Sequence, residues 1–160
     1  EANKPPIRII APGKVFRNEA TDSTHEAQFY QIECMMVDKN VTLSMLKGVL
    51  THLFSKLFSE GTEIRFRPSF FPFTEPSVEV DASCWNCRGK GCTTCKQSGW
   101  IELGGAGMIH PKVFTSVNLD SNEWKGFAFG FGLERLAMLK YGITDVRNFY
   151  NGDLRLTNQF

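Results

Sequence analysis

TEIRFRPSFFPFTEPSVEVDASCWNCRGKGCTTCKQSGWIEL, from Thr62 to Leu103, holds three strand-forming runs with no helical period between them. Thr62 to Arg67 alternates Ile64 and Phe66 with Glu63, Arg65 and Arg67. Val78 to Ala82 alternates Val78 and Val80 with Glu79 and Asp81, and Trp100 to Leu103 supplies the third run. A period of two places apolar side chains on one face of a strand and polar ones on the other. Parallel neighbours need a long, usually helical crossover. None is legible here, so the segment predicts a mainly antiparallel sheet.

Working upstream, Leu43, Leu46, Val49, Leu50, Leu53, Phe54, Leu57 and Phe58 recur at three- and four-residue steps. They predict a helix capped by Thr42 and stopped at Gly61. Phe29 to Val37 alternates Tyr30, Ile32, Cys34 and Met36 with Gln31 and Glu33, and Cys34 is expected to be a core residue. Ile7 to Ile10 and Lys14 to Glu19 read as the two arms of a hairpin that turns at Pro12-Gly13. Downstream, the apolar run Phe127 to Phe131 is expected to break at Gly130 and Gly132 before a helix from about Leu133 to Tyr141, ended by Gly142. These elements make an α+β domain, a mainly antiparallel sheet flanked by helices.

At 160 residues and 42% hydrophobic content the chain has enough apolar material for one globular domain. No run approaches the roughly 18 apolar residues of a spanning helix, and Glu1 to Pro6 has no signal pattern. A soluble, cytoplasmic protein without a membrane partner is expected. Lys plus Arg number 18 against 17 Asp plus Glu, which gives no support for a general nucleic-acid or membrane-surface binder. A start of Glu1-Ala2-Asn3-Lys4-Pro5-Pro6 without Met reads as a fragment, so part of the function is expected upstream.

Cys84-x2-Cys87-x4-Cys92-x2-Cys95 places four thiols within twelve residues, with Gly89 and Gly91 beside the first pair. Each CxxC presents two sulfurs from one turn, and four thiolates suit a tetrahedral Zn²⁺ with no open position for a catalytic water. Structural zinc at residues 84–95 is the favoured reading, with free thiols, disulfides or an iron-sulfur cluster as alternatives. Disulfides are disfavoured in a cytosolic protein. The insertion lies between two strands, and a metal would fold a loop too small for a core of its own. Trp85, Arg88 and Lys90 offer an RNA contact, but a solvated knuckle is the favoured reading of them.

Three further segments carry chemistry. Arg17-x-Glu19 lies on an extended stretch and is followed by His25, Glu26, Phe29, Gln31 and Glu33. Phe129-Gly130-Phe131-Gly132-Leu133-Glu134-Arg135-Leu136 runs from a strand through two glycines into a helix, and lacks the third glycine and βαβ setting of a dinucleotide fingerprint. Glycines there admit a ligand close to the backbone, and Arg135 offers a planar cation for phosphate. Ser69 to Pro76 holds Phe70, Phe71 and Phe73 among prolines that discourage a regular buried strand. Its rings suit either core or a rigid apolar pocket.

Four segments in order, GKVFRNEATDSTHEAQFYQIE from Gly13, RPSFFPFTEPSVEVD from Arg67, GAGMIHP from Gly105 and GFAFGFGLERLAMLKYGI from Gly126, resemble the family of bacterial phenylalanyl-tRNA synthetase α subunits. These are class II aminoacyl-tRNA synthetases, and the resemblance covers nearly the whole chain. It implies the class II catalytic fold in part, residues 1–160 being its C-terminal portion without the first, dimer-forming motif. Arg17 and Glu19 then belong to the second motif, and Gly130, Gly132 and Arg135 to the third.

By position, the resemblance implies that Arg17 holds the α-phosphate and the amino-acid carboxylate, with Arg17 and Arg135 as the catalytic cations. Glu19, His25, Phe29 and Arg135 complete the ATP site, Phe29 stacking on adenine. Gln31, Glu33, Phe71, Phe73 and Ala128 form the amino-acid site, with Ala128 setting its depth. Glu75 matches a Mg²⁺ ligand. The implied reaction is ATP-dependent activation of L-phenylalanine and its transfer to tRNA(Phe), with a β subunit in an α2β2 heterotetramer; the chain alone is expected to be inactive. The cysteine cluster is not general in the family, so zinc rests on spacing. The rival reading is a non-catalytic class II paralogue or a zinc-containing RNA-binding module.

Overall fold

The computed structural model of the chain describes residues 4–58 and 61–159. Six strands form one sheet: β1 (Ile7–Phe16), β2 (Gln28–Asp38), β3 (Ile64–Phe71), β4 (Thr74–Ser83), β5 (Trp100–Ile109) and β6 (Lys125–Gly132). Their order is β1-β2-β6-β5-β4-β3, and every neighbouring pair is antiparallel. Helices α1 (Leu43–Leu57), α2 (Pro111–Ser116), α3 (Leu133–Tyr141) and α4 (Leu154–Thr157) and a 3-10 turn at Val146–Phe149 complete the described residues. The predicted α+β architecture is therefore present. None of these helices is long and apolar enough to cross a membrane.

The two faces of the sheet have different jobs. Ile32, Cys34 and Met36 of β2, Val78, Val80 and Ala82 of β4 and Phe127, Phe129 and Phe131 of β6 pack on Leu46, Leu50 and Phe54 of α1 and Leu136 and Leu139 of α3. Phe54 meets Phe131 edge-on at 5.2 Å between centroids, a geometry that aromatic quadrupoles favour. On the opposite face of β6 stand Gly126, Ala128, Gly130 and Gly132, alternating with the phenylalanines. One end of that face is covered by α2, whose Phe114 packs with Val37 and Ile109. The rest is open.

Several boundaries differ from the sequence reading. Ile7 to Phe16 is one continuous strand, not a hairpin: Pro12 pairs with Ile32 and Gly13 with Gln31. β1 is a sheet edge, where a missing N–H removes no interior ladder bond. α1 is capped by Thr42, whose Oγ1 accepts from the Met45 N–H, but it ends at Leu57, ahead of Gly61. Extended Phe58 stacks its ring on Phe54 at 5.6 Å, so tertiary burial ends the helix before the glycine is reached. β6 passes unbroken through Gly130, because β2 and β5 pair with it on both sides.

Ser69 to Pro76 is a tight hairpin in which β3 reaches Phe71 and β4 begins at Thr74. Pro76 sits inside β4 where the register slips between Thr74 and Ser77, a bulge that tolerates the missing donor. The connection from β4 to β5 is the cysteine segment, as expected.

Candidate active site

The second-motif residues lie at the end of β1 and in the connection that returns to β2. The Arg17 N–H donates to the Ala27 carbonyl at 2.8 Å and closes this loop. Inside it, Asp22 Oδ1 accepts from the backbone N–H groups of Thr24 (2.7 Å) and His25 (2.8 Å) and lies 3.0 Å from His25 Nδ1. The Thr24 N–H above all holds the Asp22 carboxyl well below the usual carboxylate range; desolvation opposes it, and the hydrogen bonds from His25 and the Thr24 hydroxyl reinforce it. The Val146 N–H fastens the same loop by donating to Ser23 O at 2.9 Å. So anchored, His25 directs Nε2 to within 3.2 Å of Arg135 Nη2. Arg135 in turn donates to the Glu102 carbonyl at 2.9 Å.

A cleft of about 310 Å³ opens over these groups, lined by Arg17, Glu19, His25, Phe29, Gln31 and Arg135 among others. The Arg17 guanidinium lies 4.9 Å from the Phe29 ring centroid, a cation–π contact. A second cleft, about 260 Å³, continues along the sheet past Gln31, Glu33, Phe71, Phe73, Thr74 and Ala128. Arg17, Gln31 and Phe71 border both clefts. Phe71 and Phe73 stand nearly parallel, 6.1 Å apart. Partial burial raises the Glu33 carboxyl above its ordinary value, and the Arg17 charge opposes the rise.

The floor between the clefts has been stripped of side chains. Gly105 on β5 pairs with Gly130 on β6. A Cβ at Gly105 would come within 2.6 Å of the Phe71 ring, one at Gly107 within 2.6 Å of Thr74 Cβ, and one at Gly130 within 2.4 Å of the Glu33 carboxyl oxygens. Small residues here let Phe71, Thr74 and Glu33 lie across the sheet.

Two buried carboxyls that sequence reasoning passed over support this frame. Asp81 accepts from Arg65 Nε at 2.8 Å and Arg67 Nε at 2.6 Å, its side chain 2% exposed. Burial pushes its carboxyl up, but the hydrogen bonds from Arg67 and Arg65 outweigh that and leave it lowered. Arg67 also reaches Glu79 at 2.7 Å. Alternate charges at 65, 67, 79 and 81 were visible in the sequence; the register that pairs them was not. Glu134, beside Arg135, is 7% exposed, and its Oε1 accepts from the Tyr30 N–H at 2.8 Å and from the Tyr150 hydroxyl. The partner of Gln31, Gly132, is the last residue of β6, so the Glu134 carboxyl takes over the ladder one step beyond and keeps Phe29 in register. Burial first, then the Glu134 contact, raises the Tyr150 phenol above its ordinary value.

Of the residues expected at the site, Glu75 alone stands outside these clefts. Its side chain is 73% exposed and faces His110 Nε2 at 3.2 Å. Among the described residues, the one group of three or more close metal donors is Cys84, Cys87, Cys92 and Cys95. A magnesium ion at Glu75 would therefore need ligands from outside this set. The four sulfurs lie within 4.8 Å of one another, with Cys84–Cys92 and Cys87–Cys95 at 3.8 Å and Cys92–Cys95 at 3.7 Å. Disulfide sulfurs sit at about 2.05 Å, whereas four sulfurs placed tetrahedrally at about 2.3 Å from zinc are roughly 3.8 Å apart. The Gly91 N–H points at Cys87 Sγ and the Gly99 N–H at Cys95 Sγ, both at 3.2 Å.

An antiparallel sheet that ends in a helix headed by an arginine, with a second arginine on a strand-borne loop over a bare glycine floor, frames two adjoining clefts. The family model tRNA synthetases class II core domain (F) matches residues 1–160, and the chain belongs to that family. Its similarity is more particular than the class. It is 59% identical over 155 residues to the Phenylalanine--tRNA ligase alpha subunit of Macrococcus caseolyticus (97% of this chain, 44% of the relative). Against the protein of that name from Bacillus licheniformis it is 58% identical over 157 residues (98% and 46%). The resemblance carried by the four motifs is borne out, and the chain spans a little under half the length of these relatives. Pyrrolysyl-tRNA synthetase from Desulfitobacterium hafniense superposes with a TM-score of 0.62 at 18% identity, covering 95% of this chain and 48% of that one, a likeness of fold alone.

Proposed function

We propose that this chain activates L-phenylalanine with ATP and passes the acyl group to tRNA(Phe), as part of an α subunit working with a β subunit in an α2β2 cytoplasmic enzyme. The observation that carries the reading is that Arg17 borders both clefts. A guanidinium there bridges a nucleotide α-phosphate in one and an amino-acid carboxylate in the other, so that the carboxylate oxygen meets the α-phosphorus and pyrophosphate departs toward His25 and Arg135. Catalysis is then positioning and charge neutralisation, with no covalent enzyme intermediate. Phe29 carries the adenine, Glu19 belongs to the nucleotide cleft, and Gln31 and Glu33 face the amino-acid end. Phe71 and Phe73 hold the substrate ring. Mg²⁺ accompanies ATP in such reactions, and Glu75 offers it one exposed carboxylate. A non-catalytic paralogue has no use for Arg17 and Arg135 together.

The test is amino-acid-dependent ATP–pyrophosphate exchange by the complete heteromeric enzyme. Exchange with phenylalanine is expected; exchange with a different amino acid in its place would refute the assignment. Ala128→Gly deepens the second cleft and is expected to admit para-substituted phenylalanines, read as new exchange activity with those analogues. Unchanged selectivity would remove Ala128 from the pocket wall.

The cysteine site is proposed to hold a structural Zn²⁺. The sulfur spacings support it, and so do the Gly91 and Gly99 N–H groups aimed at Cys87 Sγ and Cys95 Sγ. One equivalent of zinc per chain is expected by elemental analysis, lost in Cys84→Ser; four freely titrating thiols in metal-free native protein would reject the site.

A further inference from the structure

We propose that the groove between the cysteine knuckle and the sheet is a docking surface for the unpaired 3′ end of the substrate RNA, an inference that rests on the tRNA-charging reading above. The knuckle from Cys84 to Gly99 contains Arg88, Lys90 and Lys96 and no acidic residue, in a chain whose charges otherwise balance at 18 to 17. All three basic residues are exposed, and none forms a salt bridge with another described residue. Clustered unpaired cations on one loop are the electrostatic footprint of a phosphate backbone.

Of the three, Lys96 borders a groove of about 280 Å³ whose walls include Trp85 and Trp100, while Arg88 and Lys90 lie elsewhere on the same loop. Trp100 is held rigid: the Arg65 guanidinium lies 4.2 Å from its ring centroid, and Asp81 anchors that guanidinium at 2.8 Å. Aromatic walls beside phosphate-binding cations are how proteins hold single-stranded nucleic acid, because every base has a face to stack. Paired bases keep their faces inside the duplex, so this geometry selects an unpaired end. The groove also leads to the chemistry. His25, Glu102 and Arg135 line both it and the nucleotide cleft, so a strand lying along the knuckle approaches the activated acyl group from the side of the outer phosphates.

The experiment uses the complete enzyme carrying Arg88→Glu, Lys90→Glu and Lys96→Glu together. Equilibrium binding is measured with a tRNA(Phe) transcript and with the same transcript trimmed of its unpaired 3′ end. The variant is expected to bind the intact transcript about 10- to 100-fold more weakly, with the dependence of log Kd on log salt flatter by about two, as three lost single-strand phosphate contacts require. The difference should shrink on the trimmed transcript, while phenylalanine-dependent pyrophosphate exchange and association with the β subunit stay at wild-type levels. Unchanged affinity overturns the proposal, as does an equal loss on both transcripts. Failure of the variant to associate with the β subunit also overturns it, marking the surface as a protein contact. If the wild-type enzyme showed no phenylalanine-dependent exchange, the functional reading would fall, but the binding measurements involve no turnover and judge the surface separately.

Discussion

Arg17→Ala in the complete enzyme is expected to lower kcat/KM for phenylalanine-dependent pyrophosphate exchange by about 10²- to 10³-fold, the usual loss when one preorganised charge donor is removed from a transition state. Among the described residues Arg17 is the only cation that lines both clefts, so none of its described neighbours can substitute. Arg135 lines the first cleft but not the second, and it donates to the Glu102 carbonyl. Arg17→Lys should recover only a small part of the activity. An ammonium keeps the charge but cannot hold two oxygens with a planar fork. Stability should change little, because the loop retains the Arg17 N–H to Ala27 bond, which is backbone, and the Asp22 contacts. Near-normal exchange by Arg17→Ala would mean that the carboxylate and the α-phosphate meet elsewhere.

Gly104→Ala is expected to be the most damaging methyl group that can be added to the sheet. Gly104 has φ +159°, and a Cβ there would lie 2.1 Å from the Gly130 carbonyl oxygen and 2.9 Å from the Phe131 ring. Backbone cannot swing aside as a side-chain tip can. β5 and β6 would have to part where they form the floor of both clefts. The expected destabilisation is about 3 kcal/mol or more, a fall in Tm of roughly 6 to 12 °C for a chain of this size. Gly48, on the exposed side of α1 with nothing within 4 Å of its added Cβ, is the control. Gly48→Ala is expected to raise stability by up to about 1 kcal/mol through helix propensity. Equal melting temperatures for the two variants would show that the glycine floor is not under steric constraint.

How much of the site was legible in advance depended on the distance over which each signal acts. Arg17, His25, Phe29 and Gln31 sit within fifteen residues of one another, and a strand–loop–strand reading keeps them together. The alternation Phe127, Phe129, Phe131 against Gly126, Ala128, Gly130, Gly132 was also present as a period-two signal. Taken for a broken strand because glycine is a poor strand former, it is in fact a buried face and a bare one. Pro12 misled for a related reason: a proline ends a strand only when its missing N–H is needed, and at a sheet edge it is not.

Sequence by itself determined the antiparallel class, α1 and α3, and the thiol spacing of the knuckle, because periodicity, capping and short loops are local properties. Tertiary structure alone decided that Glu134 would extend the ladder to Tyr30, that Asp81 would gather Arg65 and Arg67, and that Glu75 would face His110 outside the clefts. Those pairings depend on register and on bulges at Ser69/Phe71 and Thr74/Ser77. A one-residue slip sends a side chain to the other face, and only the assembled sheet selects among the slips.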